Sequence, residues 1–307
     1  RNTVRERLDE AIADAKERLT GQKTVRAKEE SEKKKEAQKA AKSTAESQKA
    51  KSTDDTDPAR LKRKLPVLET TGASGTTDKS GTANSILKDE IGNLNQITGF
   101  VPDDSVAKSV TITYRPESTV YVAERYGVFY EDDTWKDIEH SGKDDEEEMW
   151  EHMEDYLSCP TDLQKLTRYY IEEIGGIDGE WKDSKSEIEA IRKKICEALW
   201  ELAVYDTEPG ATPAGKDFVE YFLFENRKGF CVHFASAGTL LFRLAGKEAR
   251  YAEGYAVPAS AFEEQEDGTY QAQISGAMGH AWCQVWCLDD GYWENVEVTP
   301  PAGIEQI

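Results

Sequence analysis

No apolar run in the chain approaches the roughly 18 residues that a membrane span requires, and no basic–apolar–small succession at the front marks a secretory signal. The chain also starts at Arg1 without a methionine, which raises the expectation of a piece excised from a longer protein whose targeting elements lie elsewhere. Cysteines are few: Cys159, Cys196, Cys231, Cys283 and Cys287 are scattered and odd in number, which excludes a disulfide framework and leaves at least one thiol free or paired outside the chain. Basic residues are short as well. Against 60 acidic side chains stand 39 Lys and Arg, and the net charge of −21 argues against a nucleic-acid partner. Neither a phosphate loop, a calcium loop nor a cofactor fingerprint occurs, so no cofactor and no metal are expected.

What the chain does hold is unevenly distributed. Residues 1–66 carry 19 basic and 13 acidic side chains, whereas the remainder carries 20 and 47. Val4, Leu8, Ala11, Ile12, Ala15 and Leu19 recur at helical spacing and predict one amphipathic helix over 1–20. From residue 21 to about 84 large apolar residues almost vanish, so nothing offsets the entropy of ordering the segment. Residues 1–84 therefore read as a charged helical or disordered linker, whose basic character suits either plain solvation or an anionic membrane surface.

Short alternating runs at 107–114, 119–123 and 126–130 predict a small β-rich appendage over 85–150, and the five acids of 144–148 a solvated loop or helix start. Residues 151–307 read as the main α+β core. Thr161 is placed to cap a helix carrying Leu163, Leu166, Tyr170, Ile171 and Ile174, which Gly175 stops. Ser184 and Glu187 form a capping-box pattern ahead of the stripe Ile188, Ile191, Ile195, Leu199 and Leu202, with Cys196 beside it in the core.

The chemistry concentrates after residue 228. Gly229 breaks the chain, Cys231 opens the apolar helical pattern Phe234, Ala237, Leu241 and Leu244, and Gly246 closes it. A cysteine at a helix N-terminus meets free backbone N–H groups and the positive end of the macrodipole, which stabilise a thiolate and can hold an oxyanion. Residues 251–257 alternate as a strand, 258–279 form a long loop or hairpin, His280 opens the strand HAWCQVWC, and Asp290–Gly291 predicts the turn into the returning strand 292–298. A loop centred on that turn puts Glu297 on the face of His280 but opposite Gln284, so a bulge or a tighter loop must close the gap. With it closed, thiolate, imidazole and carboxylate make a nucleophile–base–orienter arrangement.

The motifs GFCVHFASA (229–237), ARYAEGY (249–255), GHAW (279–282) and YWENVEVTP (292–300), preceded by TPAGKDFVEYFLFENRKG (212–229), resemble the transglutaminase-like superfamily, in particular its bacterial membrane-anchored branch, over about residues 157–301. That resemblance implies a papain-like α+β core with Cys231 as nucleophile, His280 as general base and acid, and Glu297 as the orienting carboxylate at a position where the family usually has Asp. It further implies a protein or peptide substrate, anchoring in a cell membrane through segments outside this chain, and a catalytic domain on the extracytoplasmic side. Lys247 and Glu248 stand where the family usually has Ile-Pro.

Other residues are expected to be structural. His233 lies two positions from Cys231 and so turns away from it. Cys283 and Cys287, about 13 Å apart along a strand, cannot share a zinc ion or a disulfide and read as core residues on the face opposite His280. Trp282, Trp286 and Trp293 are expected to pack the hairpin, with Trp282 also a candidate wall of the acyl site, and Arg250 to be a partly buried salt-bridge partner. The expected function is cysteine acyl transfer at a peptide or glutamine carboxamide. The alternative is a binding or structural module that keeps the fold without turnover, and thiol reactivity separates the two.

Overall fold

A computed structural model describes residues 67–70, 92–102, 108–140, 145–174 and 185–301. The expected helix over 1–20, nearly all of the 21–84 linker, and the caps Gly175 and Ser184 lie outside the described residues.

The central layer is an antiparallel sheet in the order β12-β11-β8-β3, formed by β3 (Val120–Gly127), β8 (Ala249–Val257), β11 (Gly279–Cys287) and β12 (Tyr292–Val296). A second antiparallel sheet, β1-β2-β10-β9, joins β1 (Val67–Thr70) and β2 (Lys108–Ile112) to β10 (Tyr270–Ile274) and β9 (Glu263–Glu264). The β-rich stretch of 85–150 is thus divided: β2 pairs with β10 and β3 with β8, while β4 (Phe129–Glu131) and β5 (Thr134–Lys136) form a ribbon of their own. Helix α1 (Asp145–Glu151) takes up most of the acidic run.

Helix α2 (Gln164–Tyr169) begins three residues after the expected Thr161 cap, because a distant carboxylate supplies the cap. Glu220 Oε1 accepts the N–H groups of Lys165 (2.6 Å) and Leu166 (3.1 Å). Helix α3 (Lys185–Leu202) buries Ile188, Ile191, Ile195 and Leu199 as the stripe predicts. The helix that carries the nucleophile candidate, α4 (Cys231–Leu244), is buried through Arg243 and sits hard against the sheet. Gly238 permits this approach, since a Cβ there would lie 2.9 Å from both Cys283 Sγ and Val298 Cγ2. The helix ends in a Schellman turn: Gly246, at φ +75°, donates to Arg243 O and Lys247 to Phe242 O.

The β11–β12 hairpin corrects one expectation. Cys287 pairs with Tyr292 and Cys283 with Val296, so the loop is Leu288–Asp289–Asp290–Gly291 and centres one residue earlier than Asp290–Gly291. Gly291, at φ +64°, is the last loop residue and closes it by donating to Cys287 O at 2.8 Å. Moving the centre by one residue shifts every cross-strand partner by two. Glu297 therefore follows the final pair and stands level with Trp282, and no bulge in the hairpin is needed. Among the described residues no helix is long and apolar enough to cross a membrane.

Candidate active site

Phe230, in an extended conformation, delivers the chain into α4 with Cys231 as its first residue. Just upstream, β7 (Lys228–Gly229) pairs in parallel with β6 (Val204–Tyr205). A side chain at Gly229 would collide with His233 Cβ at 2.6 Å and Phe222 Cε2 at 2.7 Å, so glycine is what lets the turn close on the helix. His233 itself is held by Phe218, Phe222 and Phe230, and its Nδ1 accepts the N–H of Phe230 at 3.4 Å. Burial drives its pKa down to about 3, so it is a neutral cap for α4, in keeping with a structural role.

His280 projects from the second position of β11 and is 1% exposed; Cys231 is 3% exposed. Through Nε2 the imidazole hydrogen-bonds Glu297 Oε2 at 2.6 Å, and it lies near enough to the Cys231 thiol for the two to interact electrostatically. Nε2 being taken by the carboxylate, Nδ1 is the nitrogen left for sulfur. Burial alone would lower the imidazole pKa, but the charge of Glu297, the interaction with Cys231 and the hydrogen bond with Glu297 overcome it and raise it to about 10. Glu297 answers in the opposite sense. Burial opposes its ionisation, yet the His280 charge and the donors around it hold its pKa below the ordinary carboxylate value.

The carboxylate is fixed from several sides. Its Oε1 accepts the Thr299 N–H at 2.7 Å, and its Oε2 accepts the Tyr121 hydroxyl at 2.9 Å as well as His280. Its backbone is clamped by α3, where Arg192 and Cys196 donate to Glu297 O and Trp200 donates to Val298 O at 2.9 Å. These three α3 residues are spaced by four and so share one helix face. Sequence reasoning missed Tyr121. Its alternating strand was legible, but nothing local told which strand β3 would join.

The remaining polar side chains of the His280 face form a chain beneath the imidazole. Trp282 lies nearly parallel to it, centroids 6.3 Å apart, and donates Nε1 to Asn295 Oδ1 at 2.8 Å; Gln284 donates to the same oxygen and accepts from Arg250 Nε at 2.8 Å. The Arg250 guanidinium sits 3.7 Å from the Tyr126 centroid and 4.3 Å from that of Trp293. Aromatic faces and an amide, more than the expected salt bridge, thus receive its charge. Cys283 and Cys287 are buried, with Cys283 turned toward α4, where it accepts from Thr239 Oγ1 and donates to Ala235 O. Burial pushes the thiols of Cys159 and Cys196 up to about 12 and 11, and that of Cys283 higher still. No group of three or more His, Cys, Asp or Glu side chains suited to a metal ion occurs among the described residues.

Beside the site Phe100 rests against Phe230, centroids 6.2 Å apart, and its Cε2 lies 3.7 Å from where a Cβ of Gly279 would be. It therefore contacts the residues preceding both Cys231 and His280. Two backbone hydrogen bonds hold its segment, Phe100 N–H to Thr207 O at 2.9 Å and Gly210 N–H to Thr98 O at 3.1 Å.

Residues 176–298, which contain Cys231, His280 and Glu297, match the family model described as the transglutaminase-like superfamily. A protein-glutamine gamma-glutamyltransferase of Pseudomonas aeruginosa is 36% identical over 103 residues, 34% of this chain and 14% of that protein. The protein YebA of Bacillus subtilis is 33% identical over 99 residues, 31% of this chain and 13% of that protein. The chain thus spans 14% or less of the length of these relatives. The crystal structure of the periplasmic domain of TgpA from Pseudomonas aeruginosa aligns at 18% identity and a TM-score of 0.37, over 78% of this chain and 90% of that one. Over residues 176–298 the chain is thus similar to the transglutaminase-like superfamily.

Proposed function

We propose that this domain is a cysteine acyltransferase acting on peptide or glutamine carboxamides of protein substrates. One observation carries the reading: His280 is held by Glu297 at 2.6 Å and interacts electrostatically with the thiol at the start of α4. Cys231 Sγ attacks the carbonyl carbon while its proton resides on the imidazole. The oxyanion forms beside the first turn of α4, and since the His233 and Phe234 N–H groups already donate to Phe230 O, the Cys231 N–H is the donor candidate. The C–N bond then breaks, the departing amine or ammonia takes the proton from His280, and a thioester remains. Water or a primary amine, deprotonated by His280, attacks the thioester; a C–O or C–N bond forms, the C–S bond breaks, and the thiol is restored. Glu297 stabilises the imidazolium throughout. The name of the Pseudomonas relative, a protein-glutamine gamma-glutamyltransferase, favours glutamine as the acyl donor.

We place the reaction on the outer side of a bacterial membrane, with anchoring by segments beyond this chain. Support comes from the resemblance to the membrane-anchored branch and from the basic, apolar-poor residues that precede the domain.

The test is the rate of iodoacetamide alkylation at each cysteine across pH, read by mass spectrometry, with His280→Ala and Glu297→Gln alongside, together with incorporation of a fluorescent primary amine into a glutamine-containing protein. Selective alkylation of Cys231 near neutral pH, slowed in both variants, supports the reading. A Cys231 that reacts like the other buried thiols, indifferent to both substitutions, leaves a binding module with this fold.

A further inference from the structure

The orienting carboxylate of this site is a glutamate, whose additional methylene adds a torsion and with it more ways to point away from the imidazole. Three donors converge on it. One is His280 itself, the group to be oriented, and a second is the Thr299 N–H, which belongs to the same short segment. The third comes from across the sheet: Tyr121 Oη donates to Oε2, the oxygen that also receives His280 Nε2.

Tyr121 stands on β3, separated from β11 by the whole of β8, and the intervening strand is shaped to let it pass. On the His280 face β8 presents Ala252, Gly254 and Ala256, with Gly254 paired to His280 and Ala256 paired to Tyr121. A Cβ on Gly254 would lie 2.0 Å from Val122 O, so the glycine also admits the backbone of β3, which bulges between Ala123 and Arg125. The Tyr121 ring crosses these small residues to lie 5.0 Å from Trp282 and 6.2 Å from His280, centroid to centroid. Burial, with the Glu297 charge beside it, keeps the phenol protonated far above its usual range, so it remains a donor wherever the site could operate.

We propose that Tyr121 is a positioning residue of the active site: its hydroxyl fixes the Glu297 carboxylate against the His280 imidazole. It acts through Glu297 and touches no substrate. The inference rests on the reading that Cys231 and His280 react as an ion pair.

The experiment measures the pH profile of Cys231 alkylation for the unaltered chain, Tyr121→Phe, Glu297→Gln and the double variant, with His280→Ala as reference and thermal unfolding as a check on the fold. Loss of one hydrogen bond to a charged group predicts alkylation about tenfold slower at pH 6 in Tyr121→Phe, with the profile midpoint moved upward. In the Glu297→Gln background the same substitution is expected to change almost nothing, because the group it acts through is gone. A Tyr121→Phe profile that keeps its midpoint while Glu297→Gln moves it overturns this inference alone, as does an effect additive with Glu297→Gln or one confined to the melting temperature. Profiles indifferent to His280→Ala and Glu297→Gln overturn the ion-pair reading and this inference with it. Should Tyr121→Phe fail to fold, Tyr121→Met, which also lacks a donor, carries the same comparison.

Discussion

The imidazole of His280 and the carboxylate of Glu297 meet at 2.6 Å although the β11–β12 ladder does not pair them, its last pair being Cys283 with Val296. The length of the glutamate spans the offset. Because α3 clamps the backbone of Glu297 and Val298, a shorter side chain cannot follow by shifting the strand. Glu297→Asp, which installs the residue usual in the family, would withdraw the carboxylate by roughly one carbon–carbon bond, about 1.5 Å, beyond hydrogen-bond reach of Nε2. Cys231 alkylation at neutral pH is expected to slow about tenfold in this variant. A rate equal to or above that of the unaltered chain would show that the backbone adapts.

The same pair gives stability a defined pH dependence. His280 holds its proton up to about pH 10 in the folded chain, whereas the ordinary value is 6.5. Between those values the folded state binds a proton that the unfolded state has released, so this contribution is complete below about pH 6.5 and is lost as pH climbs toward 10. Glu297 has a lowered pKa, so its contribution is present above its ordinary 4.5 and is lost on acidification below that. Calorimetry of Cys231→Ser, which takes the thiol's own proton out of the balance, is expected to show a melting temperature that declines from pH 7 to pH 9, and adding His280→Ala is expected to remove most of that decline. An unchanged slope in the variant would mean that the imidazolium is not held as described.

Much of this site was legible in the residues, and what was not has a physical cause. Gly229 and Gly246 bracket α4 and put Cys231 at its start, which local helix-termination chemistry fixes without tertiary context. The alternation of β11 and β12 places His280 and Glu297 on one face whichever four-residue or two-residue loop joins them, since two-residue shifts of register preserve sidedness. The register itself was misread. Asp290–Gly291 has the composition of a two-residue turn, but Gly291 supplies the left-handed residue that ends a four-residue loop. Tyr121 and Phe100 were invisible because each is brought to the site by pairing with segments more than a hundred residues away, Ala256 and Thr207 respectively. Contacts between segments so far apart depend on the packed fold and not on local propensity.

Gly254 is where sheet geometry and the site are joined. A methyl group there would stand 2.0 Å from Val122 O and 2.9 Å from Ala123 Cα, both backbone atoms that cannot swing aside. Gly254→Ala is therefore expected to cost about 2–4 kcal/mol in denaturant unfolding, in the range of overpacked buried positions. It is also expected to lift β3 from β8 and so loosen Tyr121 from Glu297. Tolerance of alanine with less than about 0.5 kcal/mol of loss would show that the bulge in β3 absorbs the methyl group.

The near-complete burial of Cys231 and His280, at 3% and 1% exposure, means that a reagent reaches sulfur only after a neighbouring side chain gives way. Phe100 is the side chain in contact with both Phe230 and Gly279, and its segment is tied down by the hydrogen bonds to Thr207 and Gly210. Those bonds are each worth about 1 kcal/mol net, so opening here is far cheaper than unfolding the domain. Phe100→Ala is expected to raise the alkylation rate of Cys231 about three- to tenfold at every pH while leaving the profile midpoint where it was, because access improves and the His280–Glu297 pair is untouched. A bulky alkylating reagent is expected to gain more than iodoacetamide. Equal rates in the variant and the unaltered chain for both reagents would mean that access is controlled elsewhere, and a moved midpoint would mean that the phenyl ring tunes the pair instead of covering it.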